Sequence, residues 1–315
     1  YFKCVIKKII KYQMSINKKI SVMVPATSAN MGSGFDSIGV ALDLWNELTV
    51  VSGNFSFNIQ GEGEQELPKD ESNLVYLGVK SVYDLIGESV PSLTFLCNNK
   101  IPFSRGMGSS SAAIVSGLMA GNYISNSKLT DEKIFELAAN IEGHADNVAP
   151  AIYGGCSIGI NDEKNGWIID KVKIKSKLNA IIFVPDMTLN TDESRMSLHS
   201  EISRTDAVFN IGRAALLVNS LSSGNYDLLR FATQDKLHQR QRSKTYRAMP
   251  YIIEAAIRGG AYCSYLSGSG SSIIALSDKR EYTIGYEMAE TARTFGINGK
   301  TMVVPISDSG ARVKV

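Results

Sequence analysis

The sequence predicts a mixed chain of helices and strands, α/β or α+β in class, divided into two domains. Three observations carry this. Strand-like and helix-like segments alternate in both halves of the chain. Some neighbouring strands are joined by short turns such as Asn165-Gly166. The 315 residues are 44% hydrophobic and 20% charged, which suits a folded protein of one large or two medium domains. The expected break lies at residues 165–180 and divides the chain into 14–170 and 171–315.

Residues 1–13 are basic and apolar, unlike the rest of the chain. With Met14 directly after them, they read as an upstream extension outside the fold. They lack the apolar core and cleavage site of a signal peptide. Residues 20–24 alternate as a strand. Residues 25–36 then form a small, polar, glycine-bearing loop with Asn30 and Asp36 six residues apart. Such loops often carry function, and Asx-rich stretches are equally ordinary turns. Strand character returns at 40–51 and 55–59. Residues 73–86 place Leu74, Leu77, Val82, Leu85 and Ile86 at helical spacing. A strand is expected at 92–97, a small-residue helix from about Ser110 to Tyr123, and another helix behind the Thr130-Asp131-Glu132-Lys133 start signal.

In the second half, residues 180–184 read as a buried strand ending at Pro185. Residues 191–195 form the start signal for a following helix. Helices are expected at 204–221, 226–238, 249–259 and 281–295. Strands are expected at 261–266, 273–276 and 301–306.

Composition excludes several functions. A net charge of +2 points to no nucleic-acid partner. No apolar run is long enough for a membrane span. Cys4, Cys97, Cys156 and Cys263 are scattered without metal or redox spacing, which favours free thiols in a reducing cytoplasm. Three histidines, His144, His199 and His238, make a multi-histidine zinc site a poor expectation.

The stretch that organises the chain is 102–113, Pro-Phe-Ser-Arg-Gly-Met-Gly-Ser-Ser-Ser-Ala-Ala. It joins a strand to a helix. Its glycines let backbone N–H groups approach an anion. Its serines can cap the helix start, and the helix dipole favours a polyphosphate there. Taken alone, the loop reads more readily as a capped helix after a turn, and the phosphate reading needs support from elsewhere in the chain. It is not a Walker A loop, because no Gly-Lys-Ser/Thr follows. A polar run, Glu142 to Ala151, and a second glycine-serine turn, Ser267 to Ser272, stand further along. The arginines and lysine at 240, 242, 244 and 247 read as a solvated face.

Three motifs therefore stand in order: PATSANMGSGFD (25–36), PFSRGMGSSSAA (102–113) and LSGSGSSIIAL (266–276). Together they resemble the three motifs of the GHMP small-molecule kinases. EGHADNVAPA (142–151), the Thr191/Arg195 spacing and Leu237-His238-Gln239 with Arg242 are similar to the homoserine kinase branch. The resemblance covers roughly residues 20–305. The sequence departs from it at Ser33 and Ser271, where the family usually has proline, and at Gln239-Arg240-Gln241-Arg242, in place of proline-tyrosine-arginine.

The resemblance implies an α+β fold of two domains, the first like ribosomal protein S5 domain 2 and the second ferredoxin-like. It implies phosphoryl transfer from ATP to L-homoserine, in threonine synthesis, by a cytoplasmic enzyme that is often a dimer. ATP would lie against Asn73 and the loop Pro102, Phe103, Ser104, Arg105, Gly106, Met107, Gly108, Ser109, Ser110, Ser111 and Ala112. Mg²⁺ would lie at Ser110 and Glu136, a hydroxyl and a carboxylate of the kind this ion takes. Homoserine is a zwitterion. Arg195 and Arg242 would take its carboxylate, and Asn30, Asp36 and Asp146 its ammonium. His144 and Asn147 would complete the pocket. Mevalonate-type relatives carry an aspartate at the position matching Asn147, so the resemblance supplies no side-chain base, and positioning is the expected source of rate. Rival readings are another kinase of the superfamily, a non-catalytic metabolite sensor, and a nucleic-acid binder using the 240–247 cluster.

Overall fold

The computed structural model describes residues 19–189, 191–196 and 198–314. The 1–13 extension, Met14 and Cys4 lie outside the described residues.

The first sheet has seven strands. Its spine is β1 (Lys19–Ala29) against β2 (Ile38–Ser52), antiparallel along their whole length. The fifteen-residue β2 serves two further partners. Its second half pairs with β4 (Leu93–Asn99), and its first three residues pair with β5 (Cys156–Asp162). β3 (Ser56–Gly61) lies parallel to β4, and the crossover between them carries α1 (Leu74–Ile86). Asn73 caps α1 through its side-chain oxygen. β6 (Gly166–Val172) returns on β5 through the Asn165-Gly166 turn. α2 (Ser109–Ser125) packs against α1. At Gly117 a Cβ would stand 2.1 Å from the Val75 carbonyl oxygen, so small residues in α2 are what let the two helices touch. α3 (Asp131–Glu142), capped by Thr130, and α4 (Val148–Tyr153) complete this half.

The second sheet runs β10–β7–β9–β8. The chain order is β7 (Asn179–Pro185), α5 (Thr191–Met196), α6 (Arg204–Ser223), the short α7 (Leu229–Ala232) and α8 (Gln239–Arg242), and α9 (Met249–Gly259). Then come β8 (Cys263–Leu266), β9 (Ile273–Ser277), α10 (Glu281–Thr294) and β10 (Gly299–Pro305). Its strands and the helices on its outer face follow β-α-β-β-α-β with all pairs antiparallel, the ferredoxin-like pattern. Alternation along β7 explains how it joins the halves. Ile181 and Phe183 face α9 and α10, while Ala180, Ile182 and Val184 belong to the core shared with the first sheet.

Two local expectations change, and two elements were not expected. β1 continues through residues 25–29, with a register shift at Pro25/Ala26 that accommodates the proline, so the first loop starts at Asn30. Residues 226–238 are not one helix. The Asp235 carboxylate accepts from the N–H groups of Leu237, His238 and Gln239 and starts a new turn, which ends α7 early. Residues 148–153 are helical despite Pro150. Finally, β11 (Arg312–Lys314) pairs with β1, so the chain returns to the first sheet after its excursion through the second.

Candidate active site

The three loops singled out by sequence meet. Gly108 caps α2 with φ 71° and no side chain, so no serine caps this helix. The first helical bond runs from the Ala112 N–H to the Gly108 carbonyl. The preceding N–H groups, of Ser109, Ser110 and Ser111, thus stand at the helix start, where an anion is favoured. A Cβ on Gly108 would lie 1.9 Å from Thr27 Oγ1, and one on Gly106 2.1 Å from the Ser267 carbonyl oxygen. Both glycines are therefore required by close approach. The turn at 267–272 buttresses the loop: Ser267 Oγ donates to the Gly106 carbonyl at 2.6 Å, and the Ser272 N–H to the Arg105 carbonyl at 3.0 Å.

The cleft beside this helix start runs in two directions. One end is apolar, lined by Leu48, Ile59, Leu67, Leu74 and Cys97. The other end carries charge, with Asp36, His144, Asp146, Arg195 and Arg242 on its walls.

At the charged end, Arg195 forms a two-pronged ion pair with Asp36 at 2.8 and 2.9 Å. The pair is part-exposed (45% and 32%), so its own contribution to stability is small. Asp36 has φ 55° and Asn30 φ 71°, left-handed values that non-glycine residues seldom adopt and that cluster at functional sites. Arg242 is buried. Its Nη1 donates to the Gly268 carbonyl and to His238 Nδ1, both at 2.9 Å, and its Nε is buried without a partner. Burial, and then the charge of Arg195, pull its pKa down to about 10. His144 Nδ1 lies 2.7 Å from Asp146 Oδ1. Burial alone would lower the His144 pKa; the hydrogen bond and charge of Asp146, with Glu142 and Asp36, outweigh it and raise the pKa. Asn147 accepts from Thr27 Oγ1 at 2.8 Å, which leaves its amide N–H groups to the cleft.

Residues 73–155 match the family model for the N-terminal domain of GHMP kinases, and residues 214–291 the model for the C-terminal one. A homoserine kinase of Desulfitobacterium hafniense is 40% identical over 296 residues, 93% of this chain and 99% of its own. The chain belongs to the GHMP kinase family. Another homoserine kinase, from Clostridium beijerinckii, is 38% identical over 93% of this chain and 98% of its own. Among solved structures, this GHMP kinase is similar to homoserine kinase from Cytophaga hutchinsonii, with a TM-score of 0.83 and 28% identity over 94% and 97% of the two chains. It also shares the fold of L. major mevalonate kinase (TM-score 0.72, 14% identity, 94% and 98% covered). The two-domain α+β fold expected from sequence is the one found.

The GHMP kinase cleft gathers most of the residues named from sequence. Every position from Pro102 to Ser110 borders it, as do Ala112, Asn73, Asn30, Asp36, His144, Asp146, Asn147, Arg195 and Arg242. Ser111 does not. It is buried behind the loop, and its hydroxyl donates to Glu142 Oε1 at 3.0 Å. Three bordering side chains are already committed elsewhere. Asn73 uses its amide for the α1 cap and for the Pro68 carbonyl. The Asn30 amide joins the Asp36 N–H to the Gly268 carbonyl, so it shapes the loop that presents Asp36. Arg105 turns away and donates to the carbonyls of Phe103, Pro185 and Asp186, which ties the loop to the second sheet.

The metal expectation at Glu136 requires a correction. Glu136 lies on the outer face of α3, 48% exposed, with both carboxylate oxygens 2.9 Å from Lys133 Nζ. The depression it borders, with Trp167 and Lys171, is separate from the cleft. Glu142, the last residue of α3, borders the cleft instead, with its side chain 9% exposed and beside Ser111. The sequence reading includes Glu142 in the polar run without giving it this role. It also misses Thr27, Phe35 and His238. The signal for Glu142 is helical phase. The buried residues Ile134, Phe135, Ala138 and Ala139 define the inner face, and at 3.6 residues per turn Glu142 falls on that face and Glu136 well away from it.

Proposed function

We propose that this chain is a homoserine kinase, transferring the γ-phosphoryl group of ATP to the L-homoserine hydroxyl to give O-phospho-L-homoserine and ADP. The observation that carries the reading is the pairing of an anion-binding helix start with charged groups of both signs in one cleft. That arrangement matches a polyphosphate at one end and a zwitterion at the other. Arg195 and the free edge of Arg242 (Nε and Nη2) suit a carboxylate; Asp36 and Asp146 suit an ammonium group. The apolar end suits the adenine ring.

Magnesium fits the donor set. Ser110 offers an exposed hydroxyl beside the helix start and Glu142 a carboxylate, the few hard oxygen ligands Mg²⁺ takes when phosphates and water supply the rest. When bound with ATP it neutralises charge on the transferring phosphates. The chain's own residues do the remaining work. The N–H groups of the α2 start hold the phosphates. Asn147, fixed by Thr27, offers its amide to the substrate hydroxyl. The ammonium and carboxylate of the α-carbon are both clamped so that the side-chain hydroxyl lies in line. Cytoplasmic action in threonine synthesis, and a homodimer, belong to the same reading. Cys97, Cys156 and Cys263 are free and buried, with pKa values pushed up to about 12 by burial, which suits a reducing compartment.

The test is a panel of hydroxyl acceptors with coupled ADP detection, including L-homoserine, L-serine, mevalonate and shikimate. L-Homoserine should turn over with magnesium present. Turnover of another acceptor in its place would overturn the reading.

A further inference from the structure

His238 is fully buried on the far side of Phe35 and belongs to none of the residues that a substrate would touch. Its ring is nonetheless fully used. Nε2 lies 2.8 Å from the Gly32 carbonyl oxygen and so carries the hydrogen of the neutral ring. Nδ1 is left to accept from Arg242 Nη1 at 2.9 Å. The ring stacks on Phe35, with centroids 5.1 Å apart and planes at 21°. The guanidinium carbons of Arg242 and Arg195 lie 5.9 and 6.0 Å from the same Phe35 ring. Phe35 is the neighbour in sequence of Asp36.

We infer that His238 is a positioning residue for the amino-acid substrate, locking the loop that carries Asp36 to the arginine that takes the carboxylate. The inference rests on the reading of the site as homoserine kinase. A carboxylate-binding arginine and an ammonium-binding aspartate must be held at a fixed separation to measure a zwitterion. They stand on different domains here. Arg242 follows α7 in the second half of the chain, and Asp36 follows β1 in the first. One imidazole bridges them. It needs a donor on one edge, an acceptor on the other and a flat face for Phe35, and neutral histidine offers all three in one rigid ring. The Asp235 carboxylate, which caps the α8 turn, keeps the histidine backbone in place, while its oxygen at 3.7 Å from Nε2 is beyond hydrogen-bond range. Burial pushes the imidazole pKa below its ordinary value against the pull of Asp235, in keeping with a neutral ring.

Three variants separate the two edges. His238→Asn keeps an acceptor near the Nδ1 position, His238→Gln keeps a donor near Nε2, and His238→Phe keeps only the flat ring. His238→Phe and His238→Gln should raise the KM for L-homoserine about ten- to hundredfold, the worth of a hydrogen bond to a charged group. The KM for ATP should stay within about twofold, since the phosphate loop is untouched. His238→Asn should recover much of the homoserine KM, and in an Arg242→Lys background all three changes should add little. Nitrogen NMR of histidine-labelled parent protein should show His238 protonated at Nε2 alone. If the phenylalanine variant does not fold, the asparagine–glutamine contrast decides. Failure of the parent to use L-homoserine would sink the functional reading, and the inference with it. A parent that uses L-homoserine, with His238→Asn and His238→Gln variants of parental homoserine KM, or a fall in all kinetic constants together, would overturn the inference alone.

Discussion

Replacing Glu142 with glutamine removes one negative charge and keeps the shape. In the cleft its side chain is 9% exposed, accepts the Ser111 hydroxyl at 3.0 Å, and lies 3.6 Å from His144 Nε2. A unit pair at 4 Å in an environment of effective dielectric about 20 interacts by about 4 kcal/mol. A divalent ion would gain more, and desolvation of the carboxylate would offset part of it. A net loss of about 2–3 kcal/mol is the working figure, which is roughly a 30- to 150-fold fall in kcat/KM for the magnesium nucleotide. The Ser111 contact survives, because the glutamine oxygen can still accept. The matched control is Glu136→Gln. Its carboxylate is half exposed and engaged by Lys133, a pair worth only a few tenths of a kcal/mol. The assay is a magnesium titration at fixed ATP with coupled ADP detection, alongside thermal melting. Glu142→Gln should shift the magnesium midpoint upward and lower kcat/KM, with a melting temperature near the parent's. Glu136→Gln should change neither. The opposite pattern would refute the placement of the metal at the end of α3.

Arg195→Ala and Arg242→Ala should each raise the homoserine KM far more than the ATP KM, by an amount worth about 2–5 kcal/mol for the buried Arg242 and less for the half-exposed Arg195. Arg242→Ala should also lower the melting temperature, because Arg242 is buried and bonded to Gly268 and His238, whereas the half-exposed Arg195 should not; equal effects on stability would contradict the difference in burial. Gly108→Ala should abolish ATP binding measured by calorimetry, since its Cβ would stand 1.9 Å from Thr27 Oγ1 on a backbone at φ 71°. Acidification should destabilise the protein through His238. Its native pKa is lowered by burial, against Asp235 and Asp36 and with Arg242, so as pH falls below about 6.5 the unfolded chain binds a proton that the native state refuses. His144, with a raised pKa, works in the opposite sense, so the measurement is the difference in melting temperature between parent and His238→Asn across pH 5–8. That difference should shrink toward acid pH, and a constant gap would show that His238 does not titrate out of step with folding.

The elements were legible wherever one face of a segment is buried. The strand at 180–184 and the helices at 73–86 and 249–259 follow from apolar spacing, and each lies where expected. What spacing could not show was competition from a single polar side chain. Asp235 takes three N–H groups and breaks a segment whose composition suits a continuous helix. β11 is three residues long and finds its place only by pairing with β1, almost three hundred positions earlier in the chain. In the site, the motifs named the right loops but not the division of labour within them. Asn30 and Asp36 are both polar residues of one loop. The structure shows one shaping the loop and the other facing Arg195. Arg105 belongs by sequence to the loop expected against ATP, but its guanidinium donates to the carbonyls of Pro185 and Asp186 as a tie between domains.

The same division bears on how the phosphoryl group would move. The carboxylates at the charged end are each engaged with a cation or a hydrogen-bond donor: Asp36 with Arg195, Asp146 with His144, Glu142 with Ser111. Asn147, which stands where mevalonate-type relatives carry an aspartate by the family resemblance, accepts from Thr27 and has only amide hydrogens to offer the cleft. An amide hydrogen can orient a hydroxyl oxygen but cannot take its proton. Transfer through a loose transition state needs little prior activation of the attacking hydroxyl, and its proton can leave late, to a phosphate oxygen. Catalysis in this cleft is then a matter of distance and charge. On the proposed reading, the α2 helix start and the carboxylate at its side would fix one reactant, and the arginine–aspartate–histidine cluster the other. On that reading, a pocket that holds the ammonium and carboxylate of the α-carbon would aim the hydroxyl at the far end of the side chain without a base, and the rate would follow from how rigidly those two groups are held. This is why a buried histidine that never meets the substrate can matter to its KM, and why the two glycines that let the phosphate loop touch Thr27 and Ser267 are as much a part of the site as the charges.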